Sequence, residues 1–206
     1  VADKTSVQVE TEYLSFDFGL KTCLTSSKGD LFGQKFGEKL EYYDKKIQTL
    51  SKELKKRDKN YKLSTNKRYS KLVAKCRAFI ENEICRILNR AIKIYKPKYM
   101  IFENLNFRGS KMSKRLNRLI SNCGMSVIKE KLKSITEDYG IIVVFVNPAY
   151  TSQKCNKCHH TEKANRKNQK EFLCRCGGHK TNADVNACRN ILERFLDTWF
   201  KKNKYA

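Results

Sequence analysis

The sequence has no long apolar run and few acidic residues for its length. No stretch of the 206 residues approaches the roughly 20 consecutive apolar residues of a membrane-spanning helix, so no membrane partner is expected. Lysines and arginines number 44 against 21 aspartates and glutamates, and the formal charge is +23. This excess is spread from Lys35 to Lys204 and predicts a surface for polyanions, most often nucleic acid. An acidic membrane surface is a weaker alternative, because no lysine-rich helix carries an exposed aromatic or leucine face.

The chain also lacks a secretory signal at its start, and it begins at Val1 rather than at a methionine. Nine cysteines without such a signal indicate a reducing compartment, so we expect a cytoplasmic protein. Five of them have helical or apolar surroundings and are expected in the core: Cys23, Cys76, Cys85, Cys123 and Cys188. We interpret the chain as the C-terminal part of a longer protein, or as one that lacks an N-terminal half.

The apolar patterns of the first hundred residues predict a β-rich opening followed by a helical pair. Extended segments at 13–16 and 22–25, with a turn at 27–30, are typical of a β-meander. Apolar residues at steps of three and four predict helices over 40–54 and 72–95, which we expect to pack together.

The second half alternates strands with helices, which indicates an α/β domain. Residues 99–103 form a short apolar strand that ends in a carboxylate. The basic stretch 106–122 is predicted to be a mobile loop, and 127–139 to be a helix. The continuous apolar run 141–146 is expected to be a strand buried on both faces. A last amphipathic helix begins near Asp184.

Two pairs of cysteines near the C-terminus predict a structural zinc ribbon. Cys155 and Cys158 form the first pair, and Cys174 and Cys176 form the second. The polar insert between the pairs has little apolar material, so it needs a metal to be ordered. The second pair is unusually tight, which leaves the fourth ligand open. Cys176 is the predicted ligand, and His179 is the alternative.

Three acids stand at the ends of predicted elements rather than on helix faces. Asp17 follows a strand, Glu103 closes one, and Asp184 begins a helix just after the ribbon. If the two strands are neighbours, the carboxylates converge at one edge of the sheet, where divalent cations make such a group tolerable. Oxygen ligands favour Mg²⁺ or Mn²⁺, and two such ions would promote phosphodiester cleavage. Singly, each acid has a structural explanation in a turn, a strand end or a helix start, but their joint order favours catalysis.

Several segments resemble the RuvC-type nuclease half of TnpB proteins and of the compact type V CRISPR effectors related to them. These are 16–21 (FDFGLK), 101–105 (IFENL), 148–155 (PAYTSQKC) and 182–187 (NADVNA). The resemblance implies an RNase H-like (RuvC) fold, that is, a mixed sheet with flanking helices and an inserted zinc ribbon. It also implies that Asp17, Glu103 and Asp184 are the catalytic metal-binding acids, and that a guide RNA directs cleavage of DNA.

The chain departs from this family in two ways. Its second cysteine pair is one residue tighter, so that Gly177 falls where the family's fourth cysteine would stand. The family's N-terminal recognition half has no counterpart here, so we expect that half, or a companion chain, outside this sequence, and a homodimer is possible.

The resemblance also suggests a division of the chain. Residues 1–150 are expected to form the nuclease core with a helical hairpin at about 36–96, 151–180 the ribbon, and 181–206 the C-terminal part of the core. Basic residues near Glu103 and on the ribbon are candidates for contacts with nucleic acid: Arg108, Lys111, Lys114, Arg115 and Arg118, then Arg166, Lys167, Lys170 and Arg175.

The sequence therefore predicts a Mg²⁺-dependent DNA endonuclease module of an RNA-guided nuclease. Asp17 and Asp184 would ligate the metals directly, and Glu103 would complete the set and help to orient the attacking water. Two alternatives remain open: a nuclease-derived protein that binds nucleic acid without cutting it, and a structure-selective resolvase that needs no guide. Copurified RNA would argue against a resolvase.

Overall fold

The computed structural model describes residues 9–103, 113–168 and 170–203. The main elements of these residues, in chain order, are β1 (Thr11–Phe18), β2 (Leu24–Ser26), β3 (Leu31–Phe32), α1 (Phe36–Arg57), α2 (Lys67–Tyr95), β4 (Pro97–Glu103), α3 (Lys114–Leu119), α4 (Met125–Tyr139), β5 (Ile142–Val146), β6 (Glu171–Leu173), β7 (Lys180–Asn182) and α5 (Ala183–Asn203).

Five strands form one mixed sheet in the order β3-β2-β1-β4-β5. The first three strands are antiparallel neighbours, which confirms the predicted β-meander. Its turn uses Gly29 at φ 103°, a backbone conformation that residues with a Cβ rarely adopt. β4 then pairs parallel with both β1 and β5. The sheet is therefore mixed, as predicted, with β1 and β4 adjacent near its centre.

Helices cover both faces of the sheet around β1 and β4. Leu14 and Phe16 belong to the larger core, which α1, α2 and α4 share. Tyr99 and Ile101 belong to a second core that includes Phe195 of α5. Because side chains alternate along a strand, each of the two strands serves both cores.

The two long helices form the predicted pair. The rings of Phe36 in α1 and Phe79 in α2 stack with centroids 5.7 Å apart, and Tyr43 lies 5.8 Å from Phe79. The Asn66 side chain caps α2 by accepting from the Tyr69 amide, and Gly140 ends α4 in the left-handed region. None of the helices in the part of the chain that the structure describes is both long and apolar enough to cross a membrane.

Two predictions about elements were wrong. β5 is an edge strand of the sheet, with Ile142 and Phe145 42% and 49% exposed, so it is not buried on both faces. The predicted loop 106–122 contains α3, whose N-cap Ser113 accepts from the Leu116 amide through its side chain. Residues 104–112 lie outside the described residues.

Candidate active site and metal centre

The sheet brings Asp17 and Glu103 to one edge. β1 and β4 run parallel with Phe16 opposite Phe102, so the next residue of each strand is one of the two acids. This confirms that the two strands are neighbours. Asp17 lies within β1 rather than after it, since the strand continues to Phe18.

The third acid, Asp184, is delivered by the start of α5. The Asn182 side chain accepts from the amides of Asp184 and Val185 at 2.9 and 3.1 Å, which caps the helix. The helix is anchored beneath β1, because the Ser15 hydroxyl donates to the Cys188 carbonyl at 2.6 Å. Strand β7 therefore passes directly into the turn that presents Asp184.

Glu103 and Asp184 are close enough to Asp17 to affect its ionisation. The pKa of Asp17 lies well above its usual range because the group is buried, and then because Glu103 and Asp184 add negative charge nearby. Burial also raises the pKa of Glu103 and of Asp184. A divalent cation would offset the repulsion within such a buried set of carboxyls, and oxygen donors suit Mg²⁺ or Mn²⁺.

Arg166 of the ribbon lies beside the three acids. Its guanidinium forms an ion pair with Asp184 at 3.0 Å, and both side chains are mostly buried. The same positive charge lowers the pKa of Asp17 and of Glu103 against the effect of burial. The sequence marked Arg166 as a nucleic-acid contact, and the structure adds that it neutralises part of the acid group.

Thr151 holds Glu103, and sequence reasoning missed this. The Thr151 hydroxyl donates to Glu103 Oε2 at 2.9 Å, although the two residues are 48 apart in the chain. The Thr151 side chain is buried, and its carbonyl accepts from Asn190 Nδ2 at 2.8 Å. The available signal was the PAYTSQ segment, which contributed to the family resemblance but was given no role in the site.

Three of the four predicted zinc ligands lie together. The sulfur atoms of Cys155, Cys158 and Cys174 are all within 4.8 Å of one another, and those of Cys158 and Cys174 are 3.4 Å apart. Tetrahedral Zn–S bonds of about 2.3 Å require sulfur atoms roughly 3.8 Å apart, so the three thiols fit the ion.

The structure does not bring Cys176 into this group, and its side chain is exposed. The pKa of the Cys174 thiol is lowered to about 7, first because the Gly177 amide donates to its sulfur. Gly177 thus occupies the turn position that a fourth cysteine of a longer pair would take. The alternative ligand, His179, has a buried Nε2 without a hydrogen-bond partner among the described residues.

The ribbon is fastened to α5 by asparagines. Asn186 Nδ2 donates to the Lys154 carbonyl at 2.8 Å, and its Oδ1 accepts from the Asn156 amide at 3.1 Å. Asn190 Nδ2 also donates to the Lys154 carbonyl at 2.6 Å. Lys154 itself pairs with Glu193 at 3.0 Å. These contacts fix the ribbon beside the turn that carries Asp184.

The other predicted nucleic-acid contacts lie at the surface or beyond what the structure describes. Exposed side chains are those of Lys114 and Arg118 on α3 and of Lys167, Lys170 and Arg175 on the ribbon. Lys167 lies 3.9 Å from Glu171. Arg108 and Lys111, together with the side chain of Arg115, lie outside the described residues.

Comparison with known proteins identifies relatives that share this architecture. A family model described as "Cas12f1-like, TNB domain" matches residues 126–191. The chain is 31% identical over 150 residues to the CRISPR-associated endodeoxyribonuclease Cas12f1 of Sulfoacidibacillus thermotolerans, a match that covers 72% of this chain and 30% of that protein. It is 44% identical over 77 residues to the putative RNA-guided DNA endonuclease InsQ of Escherichia coli (strain K12), covering 37% of this chain and 19% of that protein.

The fold itself also has a solved counterpart. The chain superposes on the cryo-EM structure of a Cas12f1–sgRNA–target DNA complex with a TM-score of 0.58 at 23% identity, covering 93% of this chain and 50% of that chain. This likeness shows that the chain shares the fold of the matched part of Cas12f1, and the mixed α/β sheet with flanking helices is the predicted one. The chain spans about a third or less of the length of the two curated relatives. Over most of its length, the chain is homologous to the ribbon-bearing part of the Cas12f1 and TnpB-like proteins, the compact type V CRISPR effectors and their relatives.

Proposed function

We propose that this chain is the metal-dependent, DNA-cutting module of an RNA-guided endonuclease. The observation that carries the proposal is the convergence of Asp17, Glu103 and Asp184 at one edge of the sheet. Two relatives, Cas12f1 and InsQ, are named as DNA endonucleases, and InsQ as an RNA-guided one. Since both are much longer than this chain, the guide RNA and the recognition half, in the same or another polypeptide, belong to the proposal.

The three acids would hold Mg²⁺ or Mn²⁺. When bound, such ions supply charge neutralisation and assist hydrolysis of a phosphodiester bond. Asp17 is fixed by the two strands that flank β1, and Glu103 is oriented by the Thr151 hydroxyl. Asp184 approaches from the capped start of α5. The chain thus supplies a carboxylate from three separate elements, each with its own support.

Arg166 would contact the phosphate that is cut. A guanidinium offers a planar set of donors that suits phosphate oxygens, and it stays charged at all relevant pH values. In the present structure these donors engage Asp184. A phosphodiester bound at the acids would offer Arg166 a second anionic partner within the same small space.

The ribbon would hold a structural zinc ion through Cys155, Cys158 and Cys174, with Cys176 as the fourth ligand predicted from the sequence. The core of the ribbon is small, and Phe172 is its one large apolar residue among the described buried ones. A metal is therefore expected to supply much of the energy that orders it.

Cleavage by acid-to-amide variants tests the proposal. The protein, expressed from its native gene and purified with the RNA it carries, is incubated with matching DNA and Mg²⁺. We expect Asp17→Asn and Glu103→Gln to lower the cleavage rate by roughly three orders of magnitude or more, as for groups that act in the transition state. DNA binding should persist in both variants.

Asp197→Asn is the matched control, because Asp197 is an exposed carboxyl on the same helix as Asp184. It should cut at the parent rate. Normal cleavage by either acid variant would refute the site assignment. A parent protein that binds guide and DNA but cuts nothing in Mg²⁺ or Mn²⁺ would instead support the non-cleaving alternative, and cleavage of branched DNA without RNA would support the resolvase.

A further inference from the structure

A basic cleft lies between α1 and α2, outside the acid group and the ribbon. Two leucines, Leu50 and Leu72, contribute apolar surface to it. Five exposed cationic side chains line it: Lys45, Lys46, Arg68, Lys71 and Lys75. Glu53 is the one acid in its lining, so the cleft carries an excess of four positive charges.

The charges of the cleft are not neutralised by neighbouring acids. Within the described residues, no ion pair joins any of the five cations to a carboxylate. Tyr42 is exposed beside the cleft, and nearby lysines affect its ionisation. The pKa of Tyr42 lies below its ordinary value because Lys46 donates a hydrogen bond to its oxygen, and then because the charges of Lys46, Lys39 and Lys75 act on it.

The start of α1 lies near the acids, at the edge of the sheet that carries them. Lys21 is close enough to Asp184 for their charges to interact, and the Lys21 carbonyl accepts from the Gly37 amide in the first turn of α1. An α-helix rises about 1.5 Å per residue, which places Lys45 about 12 Å and Glu53 about 24 Å beyond Gly37 along α1. A polynucleotide several nucleotides long can therefore reach both the acids and the cleft.

A second contact links the cleft to the segment that follows Glu103. Asp44, which adjoins Lys45 in α1, accepts from the Ser113 amide at 3.1 Å and from its hydroxyl. Asp44 is itself buried, so this contact holds α3 against the helical pair. The start of the cleft is thus fixed to the start of α3.

We infer that the cleft between α1 and α2 binds the phosphate backbone of the DNA strand that is cut at the acids. The inference rests on the proposed function. Lysine and arginine pair with phosphates irrespective of base sequence, and the apolar surface between them suits the sugars. The cleft would hold the strand on one side of the scissile bond while Arg166 and the acids engage the bond itself.

Binding of single-stranded DNA tests the inference. The variant carries Lys46→Gln, Arg68→Gln and Lys71→Gln, and the probe is a fluorescein-labelled 20-nucleotide oligo-dT followed by anisotropy in EDTA. At low salt we expect the variant to bind about tenfold more weakly, and its salt slope to fall by about 2, since each phosphate pair in a single strand contributes about 0.7.

The matched control removes three cations from the opposite edge of the sheet, through Arg90→Gln, Lys93→Gln and Lys98→Gln. All three are exposed, and Arg90 lies about 28 Å from Lys71 along α2. This control should lose less than twofold in affinity and keep the parent slope. Equal losses in the two variants, or no loss in either, would show that the overall charge and not the cleft holds the strand.

Two further readouts complete the test. An oligo-U RNA of the same length is measured in parallel, and a loss confined to RNA would overturn the assignment to the cut strand. Because EDTA prevents metal-dependent cleavage, the result does not depend on whether the acids cut DNA. Circular dichroism checks that both variants fold, which is expected because every substituted side chain is exposed.

Discussion

At the residue scale, Glu103 is held from across the sheet edge rather than by its own strand alone. The Thr151 hydroxyl has one proton and two acceptors nearby, Glu103 Oε2 at 2.9 Å and the Pro148 carbonyl at 3.0 Å. The Thr151 backbone is fixed in turn by Asn190. Outer partners of this kind orient a metal ligand and affect both metal binding and rate.

Replacing Thr151 with valine keeps the shape of the side chain and removes the donor. We expect Thr151→Val to weaken Mn²⁺ binding, or lower the cleavage rate, by about 10–100-fold, the usual cost of losing such a partner. Isothermal titration with Mn²⁺ measures the first effect. Thr151→Ser retains the hydroxyl and should recover most of the loss. Parent-like Mn²⁺ affinity in the valine variant would show that the contact is incidental.

Asp17 makes the metal-free protein sensitive to pH. Its folded-state pKa is raised by burial and by Glu103 and Asp184, so ionising it costs the folded state more than the unfolded state. The stability linked to its protonated form is complete below the usual pKa of about 4 and is lost as the pH rises through the raised value.

Asp17→Asn should therefore stabilise the protein in EDTA at neutral pH, by about 1 kcal/mol or more, which is roughly 2–4 °C in Tm. The gain should be small near pH 4 and grow toward pH 8. Thermal unfolding across this range measures it, and added Mg²⁺ should stabilise the parent but not the variant. A variant less stable than the parent at every pH would contradict the electrostatic account.

Single residues were predictable from the sequence where spacing or a motif marked them. The three acids were predicted from their positions at the ends of elements and from the family motifs, and the three clustered thiols from their spacing. The Thr151–Glu103 bond and the Arg166–Asp184 pair were not predicted, because each depends on how the ribbon folds back onto the sheet. Cys176 stays a prediction as a ligand: its side chain is exposed, beside the turn that directs the Gly177 amide to Cys174.

At the scale of elements, periodicity was enough for the long helices and failed for β5. The apolar residues of α1, α2, α4 and α5 recur with the 3.6-residue period of a helix, which is a local property of the sequence. The apolar run of β5 resembles a central strand, but how many neighbours a strand has depends on the whole sheet. β5 pairs with β4 on one side and stands at the sheet edge on the other.

We expect the order of the ribbon to depend on an ion more than that of any other element. We expect about one zinc per chain, and expect Cys155→Ser or Cys174→Ser to abolish zinc binding. Hydrogen exchange should then rise across 151–182 while α2 keeps its protection. Cys85→Ser in α2 is the control and should retain zinc. Full protection of the ribbon in a zinc-free protein would contradict this account.

The positions of the thiols also predict which cysteine variant loses more zinc affinity. Cys174 lies in the clustered group and Cys176 does not, so Cys174→Ser should cost more zinc affinity than Cys176→Ser. Competition with a colorimetric chelator measures both. An equal loss would mean that Cys176 turns inward when the metal binds.

At the scale of the whole molecule, the charge and the length of the chain both agree with a module that binds nucleic acid. The +23 charge suits a long polyanion, and basic side chains lie on two separate surfaces, the cleft and the ribbon. The chain covers 30% of the Cas12f1 relative and 19% of InsQ, so the selection of a target sequence is proposed to lie with a guide RNA and a recognition half. The division into a core at 1–150, a ribbon at 151–180 and a terminal part at 181–206 remains a proposal of the same kind.

The central claim is that Asp17, Glu103 and Asp184 form one divalent-cation site. Anomalous scattering from crystals grown with Mn²⁺ tests it most directly, with Asp17→Asn crystals for comparison. The account predicts Mn²⁺ density between the three carboxylates of the parent and its loss in the variant. Crystals at saturating Mn²⁺ with no density at these acids, and with Arg166 still paired to Asp184, would contradict it.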